Sequence, residues 1–332
     1  MFNLFKQKKR DIEKKPNLDL LNNQQFQCEY CGTINSLIGT TPLSFAPCAK
    51  CEAPNFIPYF IHTYWLYKPL GGGGMGSVYK AIYWNNPNWE FAVKILPRER
   101  KFEQHLIDSL INEAAIGKTF GRHPHLVAVA DYGQYQDEHF AALEFSQGER
   151  LDQVIDENDS INQKYILLWA LQLLSALQRI WDSGFLYRDM KPQNVMIDHD
   201  GNAILFDYGL CIDKNQSINP NSDMVDGSPL YMPPERIVGM PENMSSEIYS
   251  LGMVIFHALT KKTYYTSTDA YALAKKHVTS LRVSSVNNRL PNGISPKIAP
   301  LVDHMIARIP THRYQTYKEV AADIRNIYVQ LS

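Results

Sequence analysis

Apolar and polar positions change rhythm twice along the chain. Residues 26–57 hold short runs cut by Gly32, Gly39, Pro42, Pro47 and Pro54, a texture that suits small hairpins and excludes a long helix. From about Tyr64 the runs lengthen. YKPLGGGGMGSVYKAIYW (67–84) and EFAVKIL (90–96) set β-branched and aromatic residues on either side of turn residues and predict strands. A helical stretch follows from about Phe102 to Thr119, with Leu106, Leu110, Ala114 and Gly117 along one face. Two more extended runs come next, LVAVADYG (126–133) and HFAALEF (139–145). Beyond Gly148 the pattern turns helical, and ILLWALQLLSALQRIW (166–181), apolar nearly throughout, predicts a buried helix. Strands with one helix early and helices late predict a two-lobed α+β architecture without internal repeats.

Composition narrows the class. The 332 residues are 45% hydrophobic and 20% charged, an ordinary globular balance that excludes a disordered or fibrous chain. Lys plus Arg number 33 against 34 Asp plus Glu, so no global field draws the protein to nucleic acid or an anionic membrane. Locally, residues 1–25 carry Lys6, Lys8, Lys9, Arg10, Lys14 and Lys15 against Asp11, Glu13 and Asp19: a solvated arm, or an electrostatic contact with lipid or a partner. No apolar stretch is long enough to span a membrane, and MFNLFKQKKR lacks the apolar run of a secretion signal. A cytoplasmic protein is expected.

Four of the five cysteines lie early, as Cys28 with Cys31 and, after 16 residues, Cys48 with Cys51. Two CxxC pairs at this separation match a four-thiolate zinc site, each pair supplying two ligands from a tight turn. Redox disulfides and plain buried thiols are the alternatives. A ribbon of about 30 residues buries too little surface to fold alone, so a metal would hold it together. Cys211, the fifth, reads as a packed apolar residue or, next to Asp207, a redox-sensitive one.

In the first strand pair, Gly71, Gly73, Gly74 and Gly76 let the backbone fold over a polyphosphate with its N–H groups free. A flexible turn or a dinucleotide loop would share those letters, although VYKAIYW continues as a strand where a dinucleotide fold needs a helix. Lys94 sits in the apolar strand EFAVKIL and needs an anion if buried. Glu113 on the next helix is the natural partner; a lysine snorkelling from a strand edge is the alternative. The decisive runs are FLYRDMKPQNVMID (185–198) and ILFDYGL (204–210), which gather Asp189, Lys191, Asn194 and Asp207.

With these runs the chain resembles the eukaryotic-like serine/threonine protein kinases that bacteria also carry. The glycine loop, AVK around Lys94, YRDMKPQN, DYG and PPE stand in the family's order, over about residues 64–330. The resemblance implies a two-lobed kinase fold (β-rich N-lobe about 64–145, mainly helical C-lobe about 149–330); by charge and cysteine spacing, a basic arm (1–25) and a four-cysteine zinc ribbon (26–58) are expected before it. It implies that Lys94, placed by Glu113, holds the α- and β-phosphates of ATP. Asn194 and Asp207 would bind Mg²⁺ or Mn²⁺, Asp189 would accept or orient the substrate hydroxyl, and Lys191 would neutralise the γ-phosphoryl group. Val78, Ala92 and Met196 would enclose the adenine, Glu144 and Ser146 would meet its edge, and Leu143 would be the gatekeeper. As plain core, the apolar ones would need no ligand.

The same resemblance implies transfer to Ser/Thr hydroxyls of protein substrates, including the chain's own Asp207–Glu235 loop, through a transient dimer. Ser217 and Ser222 are the expected acceptors, Ser228 would contact Asp189 and Lys191, and Arg188 would pair with a loop phosphate. Arg313 would pair with Glu235, and EIYSLGMVIFHAL (247–259) would form a long buried helix. Departures from the family pattern are Tyr187 for His, Tyr208 for Phe, Glu247 for Asp, and Gly117 where a larger apolar residue is usual, unless Ile116 fills that space. A catalytically weak scaffold that recruits partners through its ribbon is the competing reading, and a small-molecule phosphotransferase a third. The complete set Lys94, Glu113, Asp189, Asn194 and Asp207 favours a protein kinase.

Overall fold

The computed structural model describes residues 15–73, 76–216, 228–279 and 285–331. The arm before Lys15, Gly74, Ser217 and Ser222 lie outside the described residues. The chain divides into two compact units, the first running to Lys118 and adding Ala128–Phe145, the second holding Thr119–Val127 and everything from Ser146 onward.

The first unit is β-rich. Helix α1 (Leu18–Asn22) is capped by Asn17, whose side chain accepts from the N–H groups of Asp19 and Leu20. Two short hairpins follow, β1 (Gln25–Gln27) with β2 (Ile34–Ser36) and β3 (Phe45–Pro47) with β4 (Pro54–Phe56). An antiparallel sheet is then built from β5 (Tyr59–Ile61), β6 (Tyr64–Gly73), β7 (Gly76–Tyr83), β8 (Asn86–Ile95), β9 (Val129–Tyr135) and β10 (Glu138–Glu144), in the order β5-β6-β7-β8-β10-β9. Helix α2 (Gln104–Thr119) joins β8 to β9 in sequence and buries Leu106, Leu110, Ala114 and Gly117, the face its periodicity marks.

The two-residue period of these strands sorts their side chains. Tyr64, Leu66, Ala81, Val93 and Ile95 join Ile61, Phe140 and Ala142 in one buried cluster. Trp65 and Ile82, one residue on, join Leu21, Phe26 and Ile57 in another. The cysteine-bearing hairpins therefore share a core with the sheet. Full burial of Leu21, Ile57 and Ile82 stabilises by about 2 kcal/mol each. Strand β5, ahead of Tyr64, is an outer strand of that sheet.

The second unit is mainly helical: α3 (Leu151–Glu157), α4 (Gln163–Asp182), α5 (Pro234–Ile237), α6 (Met244–Thr260), α7 (Ala270–Thr279), α8 (Ile298–Met305) and α9 (Tyr317–Gln330). Small sheets punctuate it, β11 (Gly148–Arg150), β13 (Val195–Asp198) and β14 (Ala203–Leu205) in one, β12 (Phe185–Leu186) and β15 (Ile212–Asp213) in another. A Cβ on Gly148 would lie 2.2 Å from the Ile197 carbonyl oxygen, so only glycine lets β11 approach β13. Helix α6 is buried around its whole circumference from Ser245 to Phe256, as an apolar helix inside a large core should be. Asn243 and Ser246 close a capping box at its start. Among the described residues no helix is long and apolar enough to cross a membrane.

Candidate active site and metal centre

In the first unit, register places the nucleotide candidates. Val78 lies opposite Lys94 across β7 and β8, and Ala92 opposite Leu143 across β8 and β10. All four are partly buried. Gly76, the first residue of β7, has φ +150°, and a Cβ there would meet the Ile95 carbonyl oxygen at 2.7 Å, so β7 can pack this closely on β8 only with glycine at that position. At Gly71 an added Cβ would meet open space, leaving room for close approach of a ligand to the backbone. Lys94 Nζ donates to Glu113 Oε2 at 2.6 Å, with the two side chains 21% and 14% exposed. This anion answers the cost of a lysine in an apolar strand. The Glu144 N–H donates to the Ala128 carbonyl.

In the second unit, the chain between β12 and β14 assembles the acidic candidates. Asp189 is 7% exposed and Asn194 4%. Lys191 Nζ and Asn194 Nδ2 both donate to Asp189 Oδ2, each at 2.7 Å, and Asn194 also donates to the Asp189 carbonyl at 3.1 Å. Two donors on one oxygen hold the carboxylate in place. The Phe206 N–H donates to the Asn194 carbonyl, which ties Asp207 to the same loop. Asp207 has φ +68° and accepts from the Gly209 N–H. Ser146 and Met196 are partly buried. Among the described residues Ser228 makes no hydrogen bond to Asp189 or Lys191; its carbonyl accepts from the Tyr231 N–H.

The departures from the family pattern acquire physical content. The Tyr187 hydroxyl donates to the Phe206 carbonyl and the Tyr208 hydroxyl to the Val127 carbonyl, both at 2.6 Å. Each extra hydroxyl thus anchors backbone beside or around Asp207. The Tyr208 ring also packs edge-on against Phe120 at 5.1 Å. Glu247 accepts from the N–H groups of Tyr187 and Arg188, and the additional methylene carries its other oxygen to the Tyr317 hydroxyl. Burial pushes this carboxyl up to about 7, against the pull of those three donors. Arg313 binds Glu235 through two N–H groups at 2.7 and 2.9 Å. Cys211 is buried.

The four early cysteines converge. Their sulfurs all lie within 4.8 Å of one another, with Cys28 to Cys51 and Cys31 to Cys48 both 3.7 Å. Zinc–sulfur bonds of about 2.3 Å in a tetrahedron place sulfurs about 3.8 Å apart, so the cage fits zinc. Each CxxC is closed by matching bonds: Cys28 N–H to Thr33 and Gly32 N–H to Cys28 in one turn, Cys48 N–H to Ala53 and Glu52 N–H to Cys48 in the other. The backbone N–H groups of Cys51 and Lys50, with the Asn35 amide, bring the Cys48 thiol down to about 6.

Sequence reasoning missed a supporting pair here. Asn35 donates to Cys48 Sγ at 3.6 Å and accepts from the Ala49 N–H, while Asn55 donates to Cys28 Sγ at 3.5 Å and accepts from the Glu29 N–H. Each buried asparagine reaches from its own hairpin to the other. The signal was readable as a short repeat, CEYCGTIN and CAKCEAPN, with asparagine seven residues after the first cysteine both times. Arg236, which bonds the Arg188 carbonyl, Glu242, which bonds the Arg188 side chain, and Tyr317, which bonds Glu247, carried no such signal.

The family model of the protein kinase domain matches residues 64–323. The serine/threonine-protein kinase PrkC of Bacillus subtilis is 29% identical over 267 residues, 80% of this chain and 40% of that protein. A probable serine/threonine-protein kinase of Clostridium perfringens is 28% identical over 268 residues, 80% of this chain and 38% of its own length. The serine/threonine-protein kinase PknA of Mycobacterium tuberculosis is 27% identical over 258 residues, 76% of this chain and 58% of that protein. The chain therefore spans about two fifths of the length of the first two.

Proposed function

The chain belongs to the protein kinase family, and we propose that it transfers the γ-phosphoryl group of ATP to serine and threonine hydroxyls of proteins. The observation that carries this reading is the Asp189 carboxylate, fixed through Oδ2 by Lys191 and Asn194. Oδ1 is then the oxygen placed to take up a substrate hydroxyl and orient it for attack. Phosphoryl transfer asks mainly for positioning and for neutralised charge. Lys94, held by Glu113, answers the α- and β-phosphates, and Lys191 answers the charge that shifts during transfer. Asn194 and Asp207 supply the oxygen ligands that suit Mg²⁺, whose charge screens the phosphate oxygens. By motif, Gly71, Gly73, Gly74 and Gly76 are assigned to the phosphates, and Val78, Ala92, Met196, Glu144 and Ser146 to the adenine.

In the same reading residues 64–330 are the catalytic domain and residues 26–58 a zinc ribbon whose Cys28, Cys31, Cys48 and Cys51 hold a structural Zn²⁺. The protein works in the cytoplasm on protein substrates, among them its own Asp207–Glu235 segment in a transient dimer. The test is incubation of purified protein with γ-labelled ATP, Mg²⁺ and a generic protein substrate, beside Asp189→Asn. Removing a positioned base costs about 100-fold or more. Equal labelling by both forms would overturn the assignment.

A further inference from the structure

Arg188, immediately before Asp189, has φ +70°, a left-handed conformation that a non-glycine residue keeps only where its surroundings hold it. Among the described residues, three groups hold it. Its N–H donates to Glu247 Oε1 at 3.0 Å, its carbonyl accepts from Arg236 Nη1 at 2.6 Å, and its Nε donates to Glu242 Oε1 at 2.9 Å. Arg236 also grips the second oxygen of Glu242, through Nε at 2.8 Å and through Nη2. One carboxylate thus joins two guanidinium groups, with the Glu242 side chain 1% exposed and that of Arg236 5%.

We propose that Glu242 and Arg236 are positioning residues for Asp189, clamping Arg188 in its left-handed conformation, with Glu242 as the built-in anion of Arg188 in place of a phosphate on the Asp207–Glu235 segment. The proposal rests on the kinase reading for its effect on turnover, but the clamp itself is geometric. Buried ion triads add little net stability over well-packed apolar residues, so stability alone gives no reason for three charged groups here. Geometry gives one. Arg236 uses its planar fork for two bonds to Glu242 and one to the carbonyl preceding Asp189, a division of labour that a lysine ammonium cannot copy. Since Arg188 already has a buried carboxylate, its loop is set without any modification of the chain.

The test compares wild type with Glu242→Gln and Arg236→Lys, all treated with phosphatase and shown by intact mass to carry no phosphate. The expected result is a wild type that stays active after dephosphorylation, and variants whose kcat falls about tenfold while KM for ATP stays within about twofold. Hydrogen exchange of the 186–194 peptide should quicken in both variants, and that of helix α4 should not. This second reading is independent of catalysis: a wild type inactive towards all substrates would sink the kinase reading, and the exchange data would still judge the clamp. Unchanged kcat and exchange in the variants would overturn the proposal. So would a dephosphorylated wild type that loses turnover and regains it when its loop is phosphorylated, or variants in which α4 and 186–194 loosen together.

Discussion

At the residue scale, Glu247 shows how a single methylene changes the chemistry of a loop. The shorter acid expected there from the family pattern would serve the Tyr187 and Arg188 N–H groups alone; the glutamate also takes the Tyr317 hydroxyl. With its folded-state value raised to about 7, Glu247 binds more protons in the folded than in the unfolded chain above its ordinary range. Its contribution is therefore fully present below about pH 4.5 and is lost as pH rises through about 7, a change of a few kcal/mol. Denaturant unfolding of wild type and Glu247→Gln between pH 4.5 and 8 should show wild type losing stability relative to the variant as pH rises. A constant difference across that range would refute the assignment. The residues that do chemistry were legible because Lys94, Asp189, Asn194 and Asp207 sit in short fixed spacings. Glu242 and Arg236 were not, because they reach Arg188 from 54 and 48 residues away, nor was Tyr317, which acts through Glu247 70 residues from it, and nothing local marks them.

At the scale of elements, period and punctuation read well. Helices α2 and α4 and strands β6 to β10 lie where apolar period and turn residues placed such elements, and α6 lies where the family resemblance placed it. The hairpins were legible only as turns. Their strands are three residues long, too short for alternation to speak, and their order comes from the cysteines and from Asn35 and Asn55. Each asparagine amide N–H points at a sulfur of the opposite hairpin, where it offsets thiolate charge and locks the ligand's orientation. Partners of this kind typically set metal affinity within a factor of 10 to 100. Asn35→Ala and Asn55→Ala should each weaken zinc binding about tenfold in chelator competition, and the double variant more than either. Wild-type affinity in both single variants would remove the asparagines from the metal centre.

At the scale of the whole molecule, the ribbon and the sheet are one hydrophobic object rather than two beads. Trp65 and Ile82 belong to the sheet, yet they are buried with Leu21, Phe26 and Ile57. Uncovering side chains of this size costs about 1.5–3 kcal/mol each. Exposing the pair would then remove on the order of 5 kcal/mol from a unit whose total stability should lie near 5–15 kcal/mol. Removal of metal should therefore be felt beyond the cysteines. After chelation at neutral pH, hydrogen exchange should quicken in β1 to β4 and also in β5, β6 and β7, while α4 and α6, in the second compact unit, keep their protection. Restoring Zn²⁺ should restore the sheet. Deprotection confined to residues 25–57 would show that the shared cluster couples the hairpins to the sheet too weakly to matter. Deprotection of α4 and α6 to the same degree would show instead that the chain unfolds as a single cooperative whole.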